Sequence, residues 1–388
     1  MRILIVHNQY TEPGGEDKIV EAEQSLLTSH GHDVELYLRS NNELKRKSIF
    51  RKLKFVYLEV FSSKKTYYDV LDMINAFGPD IVHVHNIFLM ISPAIYDVCF
   101  QKKIPVVQTI HNYRFFCSNG LFFREGRVCE DCISKGPISA ITYRCWRRSM
   151  LASGLMTKVQ DKLHREYLNS DKISRYIAPS EFTRKKCVEC GLPEDKIAVK
   201  PHFSPDKPFE NKSPGEYVAF VGRLIDYKGI ILLLECFKDL KDIPLKIIGD
   251  GPLHADVERV AADNPQISFL GYRSSEQVGE LLSKAAYIVC PSPCYETFGR
   301  VVVEAFSQGT PALVSRGGAL EELITDPCLG VIAEDNQPQY FRSAAKDLWL
   351  NVQRGGVDFQ KIRDIYDRRY TADINYKMMM SIYTSSIK

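Results

Sequence analysis

Short runs of almost purely apolar residues recur along this chain, separated by longer stretches in which apolar residues return every third or fourth position. In the first half the runs are 3–6, 34–38, 81–84, 106–109 and 176–178; in the second they are 217–221, 245–248, 267–270, 287–290 and 312–315. Strands that are apolar at successive rather than alternate positions are covered on both faces, as in parallel sheets flanked by helices. Residues 19–27 carry the helical spacing, and the apolar run 230–234 is read as a helix after a strand. The pattern predicts an α/β protein in which the same strand–helix rhythm is run twice. Between the two halves, Pro201 to Pro208 and Asn211 to Gly215 are rich in proline and turn formers, as a linker is. The predicted domains are therefore 1–206 and 207–388, with a last helix over about 370–387.

Size agrees with this division. At 388 residues the chain exceeds one ordinary core and fits two domains. Its 45% apolar and 26% charged residues are those of a soluble protein, and no apolar run nears the ~20 residues of a membrane span. The first residues, Met1-Arg-Ile-Leu-Ile-Val6, read as a strand without signal-peptide anatomy, so a cytoplasmic location is expected. A net charge of +3 makes no case for nucleic acid. Eleven cysteines, an odd number without a secretion signal, argue against a disulfide framework.

The richest segment for chemistry is Cys290-Pro-Ser-Pro-Cys-Tyr-Glu-Thr-Phe-Gly-Arg-Val-Val-Val-Glu-Ala305. It places Glu296 in a loop after a strand, Gly299 at the start of a helix, and Glu304 about one turn inside it. Thr297, Phe298 and Gly299 then offer backbone N–H groups at a helix N-terminus, where negative charge is favoured. An anion cradle beside two carboxylates suits a diphosphate flanked by hydroxyl-rich sugars. These residues resemble the E-x7-E signature of the retaining glycosyltransferases of family 4. The resemblance implies the GT-B fold, two Rossmann-like domains facing across a cleft, with the last helix crossing back to the N-terminal domain. It also implies that Glu296 holds hydroxyls of the donor sugar and Glu304 the nucleotide ribose.

Other motifs extend the resemblance. Val221-Gly-Arg-Leu-Ile-Asp-Tyr-Lys-Gly229 joins a strand to a helix and resembles the family's Gly-Arg-Leu…Lys-Gly, whose cations grip the donor diphosphate; Arg223 and Lys228 take that role here. Two fixed cations beside a departing diphosphate do the work of a metal ion, so no catalytic cofactor is expected. Gly249 and Gly251 form a Gly-x-Gly-Pro turn that brings backbone close to a ligand. Leu270, at the end of the next strand, corresponds to the nucleobase contact. Gly14 and Gly15 resemble the loop that meets the donor phosphate or the acceptor. No Gly-x-Gly-x-x-Gly follows the first strand, which speaks against a dinucleotide dehydrogenase.

Histidines mark the strand ends of the first half. Thr109-Ile-His-Asn-Tyr-Arg resembles the family's catalytic-region histidine, so His111 is assigned contact with the donor sugar. His83 and His85 alternate along a strand, and the expectation is that one faces the cleft while the other is packed. Cys117, Cys129, Cys132 and Cys145 form a Cys-x-x-Cys knuckle with one cysteine on each side, in an insertion spanning 117–145. Four soft ligands suit a structural tetrahedral zinc; four reduced thiols are the alternative. A polysaccharide-assembly subset of the family looks similar here, with His-Asn-Tyr-Arg followed by such an insertion. Cys187-Val-Glu-Cys190 reads as coincidence on a helix. The basic, apolar-interleaved residues 45–57 suit either an anionic lipid surface at the inner face of a membrane or a solvated helix.

The resulting expectation is a retaining glycosyltransferase that moves a sugar from a UDP- or GDP-type donor to a glycan or lipid-linked glycan in surface polysaccharide synthesis. Retention without a carboxylate nucleophile implies front-face attack, with Glu296 positioning the sugar, unlike the paired carboxylates of retaining glycosidases. A sugar-nucleotide epimerase on the same fold is the rival enzyme. A zinc-stabilised, non-catalytic binding module is the rival of another class.

Overall fold

The computed structural model describes residues 1–11, 14–45, 63–205, 208–209 and 213–387. The expected domain boundary at 206/207 and most of the basic segment 45–57 lie outside these residues.

The chain divides into two compact units. Unit one comprises Met1–Gly120, Glu130–His202 and Asn375–Lys388; unit two comprises Leu121–Cys129 and Phe203–Ile374. Unit one is built on a six-stranded sheet of β1 (Arg2–Gln9), β2 (Asp33–Ser40), β3 (Ile81–Asn86), β4 (Val106–Thr109), β7 (Arg175–Ala178) and β8 (Ile197–Val199), in the order β2-β1-β3-β4-β7-β8. β5 (Phe123–Arg124) and β6 (Arg127–Val128) form a separate antiparallel hairpin. Every pairing in the large sheet is parallel. Ile3, Leu4, Ile5, Val6, Val82, Val84, Val106 and Val107 are wholly buried, as two-faced coverage of a parallel strand requires.

Unit two repeats the plan with β9 (Tyr217–Val221), β10 (Leu245–Ile248), β11 (Ile267–Gly271), β12 (Ala285–Cys290), β13 (Ala312–Val314) and β14 (Gly330–Ile332), in the order β11-β10-β9-β12-β13-β14. In both sheets the strand order reverses beside the first strand, between β1 and β3 and between β9 and β12. Crossover helices leave on opposite sides of such a point, and the crevice beyond the strands' carboxyl ends is where open α/β sheets bind ligands.

The final helix, Ala372–Ile387, is anchored in unit one by its buried Asn375, Met379 and Tyr383. Ten strands coincide with the apolar runs of the sequence. β8 and β14 are additional three-residue edge strands, too short for hydrophobic pattern to single out.

Candidate active site

In unit two the loops after β9 and β12 meet at the reversal of strand order. Gly229 closes the β9 loop with φ +74°, and a Cβ there would lie 1.9 Å from the Pro291 carbonyl oxygen, so only glycine permits this approach. The contact brings Lys228 to the β12 loop, where its Nζ lies 2.6 Å from Glu296 Oε1. Ser292 Oγ donates to the same oxygen at 2.8 Å. Burial would push the Lys228 ammonium down, but the Glu296 carboxylate beside it outweighs this and holds its pKa above the ordinary lysine value. Lys228 is therefore a cation throughout the physiological range. Arg223 follows β9 on the same loop.

Gly249, at the end of β10, has φ +144°, and an added Cβ would sit 1.9 Å from the Gly222 carbonyl oxygen. The β9 and β10 loops thus touch backbone to backbone, and Gly251 stands beside Leu224 in the same contact. Leu270 is half-buried next to Gly271, whose carbonyl accepts from the Gly249 amide at 3.0 Å.

Gly299 is the N-cap of the helix Arg300–Phe306, one residue later than the helix start expected from sequence. Phe298 is buried, its ring 6.4 Å from that of Tyr370, so its side chain belongs to the core while its backbone precedes the helix. Glu304 pairs with Arg300 Nη2 at 3.0 Å, one helical turn away. Arg300 and Ser292 are site residues that sequence reasoning missed, although the i,i+4 spacing of Arg300 and Glu304 was visible. Cys290 and Cys294 flank this region as thiols, not thiolates. Burial pushes Cys290 up to about 12 and raises Cys294 as well, with Glu296 reinforcing both shifts.

In unit one the corresponding strand ends hold a chain of histidines. Residues two apart on a strand share a face, and the rings of His83 and His85 lie on the same side, 4.2 Å apart. They do not alternate between faces, although, as expected, one is packed and the other borders the cleft. They differ in depth. His83 is wholly buried between Tyr383 Oη at 2.6 Å and Thr109 Oγ1 at 2.7 Å. His85 Nδ1 lies 2.9 Å from His111 Nε2, and His111 stacks on His202 with centroids 5.3 Å apart. Burial lowers His83 to about 4 and takes His85 and His111 well below the ordinary histidine value, their neighbouring histidines adding to the effect. His111 is thus a neutral hydrogen-bonding group, suited to a sugar hydroxyl. It borders a small cleft with His85, Asn86, Phe88, Asn112 and Arg114.

Gly14 caps the helix Gly15–Ser29, and its amide donates to Asp17 Oδ2 at 2.7 Å. Asp17 also holds His7 Nε2 at 2.9 Å. Beside it Glu16 is enclosed, with Asn112 Nδ2 donating to Oε2 at 3.5 Å and no hydrogen-bond partner for Oε1 among the described residues. Burial, reinforced by Asp17, raises Glu16 to about 8. The unfolded chain releases this proton near 4.5 and the folded one near 8, so between those values the folded state binds more protons and stability falls as pH rises. Glu16→Gln should remove that loss. The variant is expected to match the parent near pH 5 and to exceed it by a few kcal/mol near pH 9 in urea unfolding. Equal stabilities at pH 9 would show that Glu16 is not held protonated.

None of the eleven cysteines is in a disulfide. Cys117 is buried and its Sγ donates to Asn119 Oδ1 at 3.0 Å, while Cys129, Cys132 and Cys145 are half-buried. The donor group that the described residues bring within 4.8 Å of one another is Glu23, His83 and His85, and it contains no cysteine. Lys200 Nζ already occupies one oxygen of Glu23, at 2.8 Å.

Residues 19–203 match the family model described as Glycosyltransferase Family 4, and residues 204–353 match that described as Glycosyl transferases group 1. The chain belongs to the family 4 glycosyltransferases. An uncharacterized glycosyltransferase of Methanocaldococcus jannaschii is 32% identical over 39% of this chain and 45% of its own length. A GDP-mannose-dependent alpha-(1-6)-phosphatidylinositol dimannoside mannosyltransferase of Mycobacterium tuberculosis is 42% identical over 29% of each chain. The family 4 chain thus spans less than half the length of these relatives. Among solved structures, HepE of Anabaena, determined with UDP and glucose, superposes with a TM-score of 0.65 at 17% identity over 98% of both chains. WaaG, a glycosyltransferase involved in lipopolysaccharide biosynthesis, does so with 0.64 at 14% identity over 98% of both chains. The two parallel-sheet units are those of the GT-B fold. Among the described residues, no helix is long and apolar enough to cross a membrane.

Proposed function

We propose that this protein is a retaining glycosyltransferase that takes a sugar from a nucleoside diphosphate sugar and places it on a glycan or lipid-linked glycan in surface polysaccharide synthesis. The observation that carries the reading is the joining of the two donor motifs in unit two. Lys228, from the β9 loop, and Glu296, from the β12 loop, meet at 2.6 Å where the strand order reverses. A cation for the diphosphate stands next to a carboxylate for the sugar attached to it.

In the proposed reaction the bond between the anomeric carbon and the diphosphate oxygen breaks. A new bond forms from that carbon to the acceptor oxygen on the same face, and the acceptor proton passes to a phosphate oxygen of the departing nucleoside diphosphate. Arg223 and Lys228 stabilise the negative charge that develops on the leaving group. Glu296 orients sugar hydroxyls and forms no bond to carbon. Glu304 holds the ribose, and His111 serves as a neutral sugar ligand on unit one. Relatives named for GDP-mannose and a fold neighbour determined with UDP favour a nucleotide sugar without choosing its base.

A panel of UDP- and GDP-sugars, assayed for slow donor hydrolysis by nucleotide release, tests this reading. One donor should be hydrolysed, with retention of anomeric configuration by NMR. Conversion to a different nucleotide sugar without acceptor would favour an epimerase. Failure of every nucleotide sugar to bind would leave a non-catalytic module. Within the panel, Glu304→Ala is expected to raise donor KM about tenfold with little change in kcat, because a ribose contact acts equally in ground and transition states. Unchanged affinity for the free nucleoside diphosphate would remove Glu304 from the ribose.

The cysteine insertion remains a proposed structural zinc site, with Cys117, Cys129, Cys132 and Cys145 as ligands. If so, purified protein carries about one zinc by elemental analysis, with zinc–sulfur distances near ~2.3 Å. Cys132→Ser should then lower thermal stability without altering turnover per folded molecule. Metal-free protein with normal stability would refute it.

A further inference from the structure

Residues 132–160 contain Lys135, Arg144, Arg147, Arg148 and Lys158 but no aspartate or glutamate, a local charge of +5 in a chain whose total is +3. Large apolar side chains are exposed in the same stretch. Five of the thirteen in the described residues fall here: Ile133, Ile138, Tyr143, Met150 and Leu151, with Ile138 68% and Leu151 89% exposed. Scattered exposed apolar residues are ordinary; a concentration of this kind marks an interaction surface.

The fold holds these groups outward. The helix Ile138–Thr142 packs through its buried Ser139 and Ala140, Ile141 reaches Gly154 of the helix Met150–Leu163, and Ile138 at the helix start stays exposed. Between the helices the Trp146 amide donates to Ser153 Oγ at 2.9 Å, and Ser149 caps the second helix, whose first two residues are Met150 and Leu151. Arg144, Arg147 and Arg148 have φ of 51°, 51° and 54°. Side chains bearing a Cβ adopt this left-handed conformation at a cost, and its persistence at functional surfaces is a recognised pattern. None of the three pairs with a carboxylate among the described residues, whereas Lys135 is taken by Asp131 at 2.7 Å.

We propose that this face docks on an anionic lipid surface, with Ile138, Met150 and Leu151 entering the headgroup boundary and Arg144, Arg147 and Arg148 meeting lipid phosphates. Guanidinium ions bind phosphate in a bidentate fashion, and exposed aliphatics at a helix start suit the interface below it. A purely polyanionic partner would leave Leu151 and Ile138 in water. A second copy of the chain would set +5 against +5. The inference goes beyond the donor reading and needs no nucleotide sugar, so either can fail alone.

The test is co-sedimentation of the full chain with vesicles of phosphatidylcholine, alone or mixed with phosphatidylglycerol, across a salt series. Binding is expected to the anionic vesicles only, and to weaken with salt. M150D/L151D should abolish it. Replacing Arg144, Arg147 and Arg148 together by glycine should reduce affinity at least tenfold, each charge near an anionic surface being worth about fivefold. Glycine is at ease with positive φ, so this variant should melt no lower than the parent, which separates lost binding from lost folding. Equal binding by parent and variants, or none by the parent, would overturn the proposal. So would a change in oligomeric state on M150D/L151D without a change in vesicle binding, which would indicate a self-association surface instead.

Discussion

Lys228→Ala should lower kcat/KM for the donor by about 30- to 1000-fold, the effect of about 2–4 kcal/mol lost when one preorganised electrostatic contact to a developing charge is removed. The ammonium is fixed before the donor arrives. Gly229 seats its loop against Pro291, and Glu296 holds the ammonium at 2.6 Å. Little reorganisation remains to be done when charge builds on the diphosphate. Arg223→Ala should cost a similar amount, whereas Glu296→Ala should lower kcat more than it weakens nucleotide binding. Lys228→Arg should recover only part of the loss, because a planar guanidinium cannot replace a point charge in the space beside Glu296 and Ser292. EDTA should leave turnover intact if these cations neutralise the leaving group. Chelator-sensitive turnover in folded protein, or a Lys228→Ala variant within threefold of the parent, would contradict the assignment.

Much of this site was legible because its residues are neighbours in sequence or flank strands whose ends hydrophobic pattern locates. Glu296 and Glu304 lie eight positions apart on one strand–loop–helix segment, so both can be placed from local pattern alone. Lys228 belongs to another strand end, and its contact with Glu296 follows once β9 and β12 are adjacent. Strand adjacency is set by the crossovers and not by any one run of residues. The histidines of β3 were visible as a motif, but their placement required the two-residue period to be applied correctly, since His83 and His85 share a face and differ in depth. Ser292 stood between two prolines with nothing to mark its hydroxyl as a ligand of Glu296. Least legible were the buried charges. Glu23 sits in an ordinary amphipathic helix and Lys200 beside a turn, 177 residues later. No local pattern joins residues that only the completed sheet brings together. The left-handed Arg144, Arg147 and Arg148 were also out of reach, because sequence gives arginine no preference for positive φ.

Lys200→Ala is expected to be the most destabilising single change considered in unit one, costing about 3–5 kcal/mol, as breaking a buried ion pair from one side does. Both partners are completely buried, with Lys200 Nζ 2.8 Å from Glu23 Oε1 and 3.0 Å from Asn375 Oδ1. Burial alone would raise the Glu23 carboxyl, but Lys200 outweighs it and holds the pKa below the ordinary value, so the folded state contains the ion pair. Removing Lys200 strands a carboxylate among uncharged groups and detaches Asn375 on the final helix, whose Nδ2 also donates to the Pro201 carbonyl at 2.5 Å. The nearest group able to neutralise Glu23 is then His85, whose buried Nε2 lies 3.6 Å from Glu23 Oε2 and has no hydrogen-bond partner among the described residues. The His85 pKa should accordingly rise in the variant, from well below the ordinary histidine value toward it, and histidine NMR titration reads that shift directly. The double change Glu23→Gln with Lys200→Met should recover more than half of the lost stability, because it removes both buried charges together. A Lys200→Ala variant that unfolds at the parent's urea midpoint, with His85 unmoved, would mean that the pair contributes neither to stability nor to keeping the histidine chain neutral.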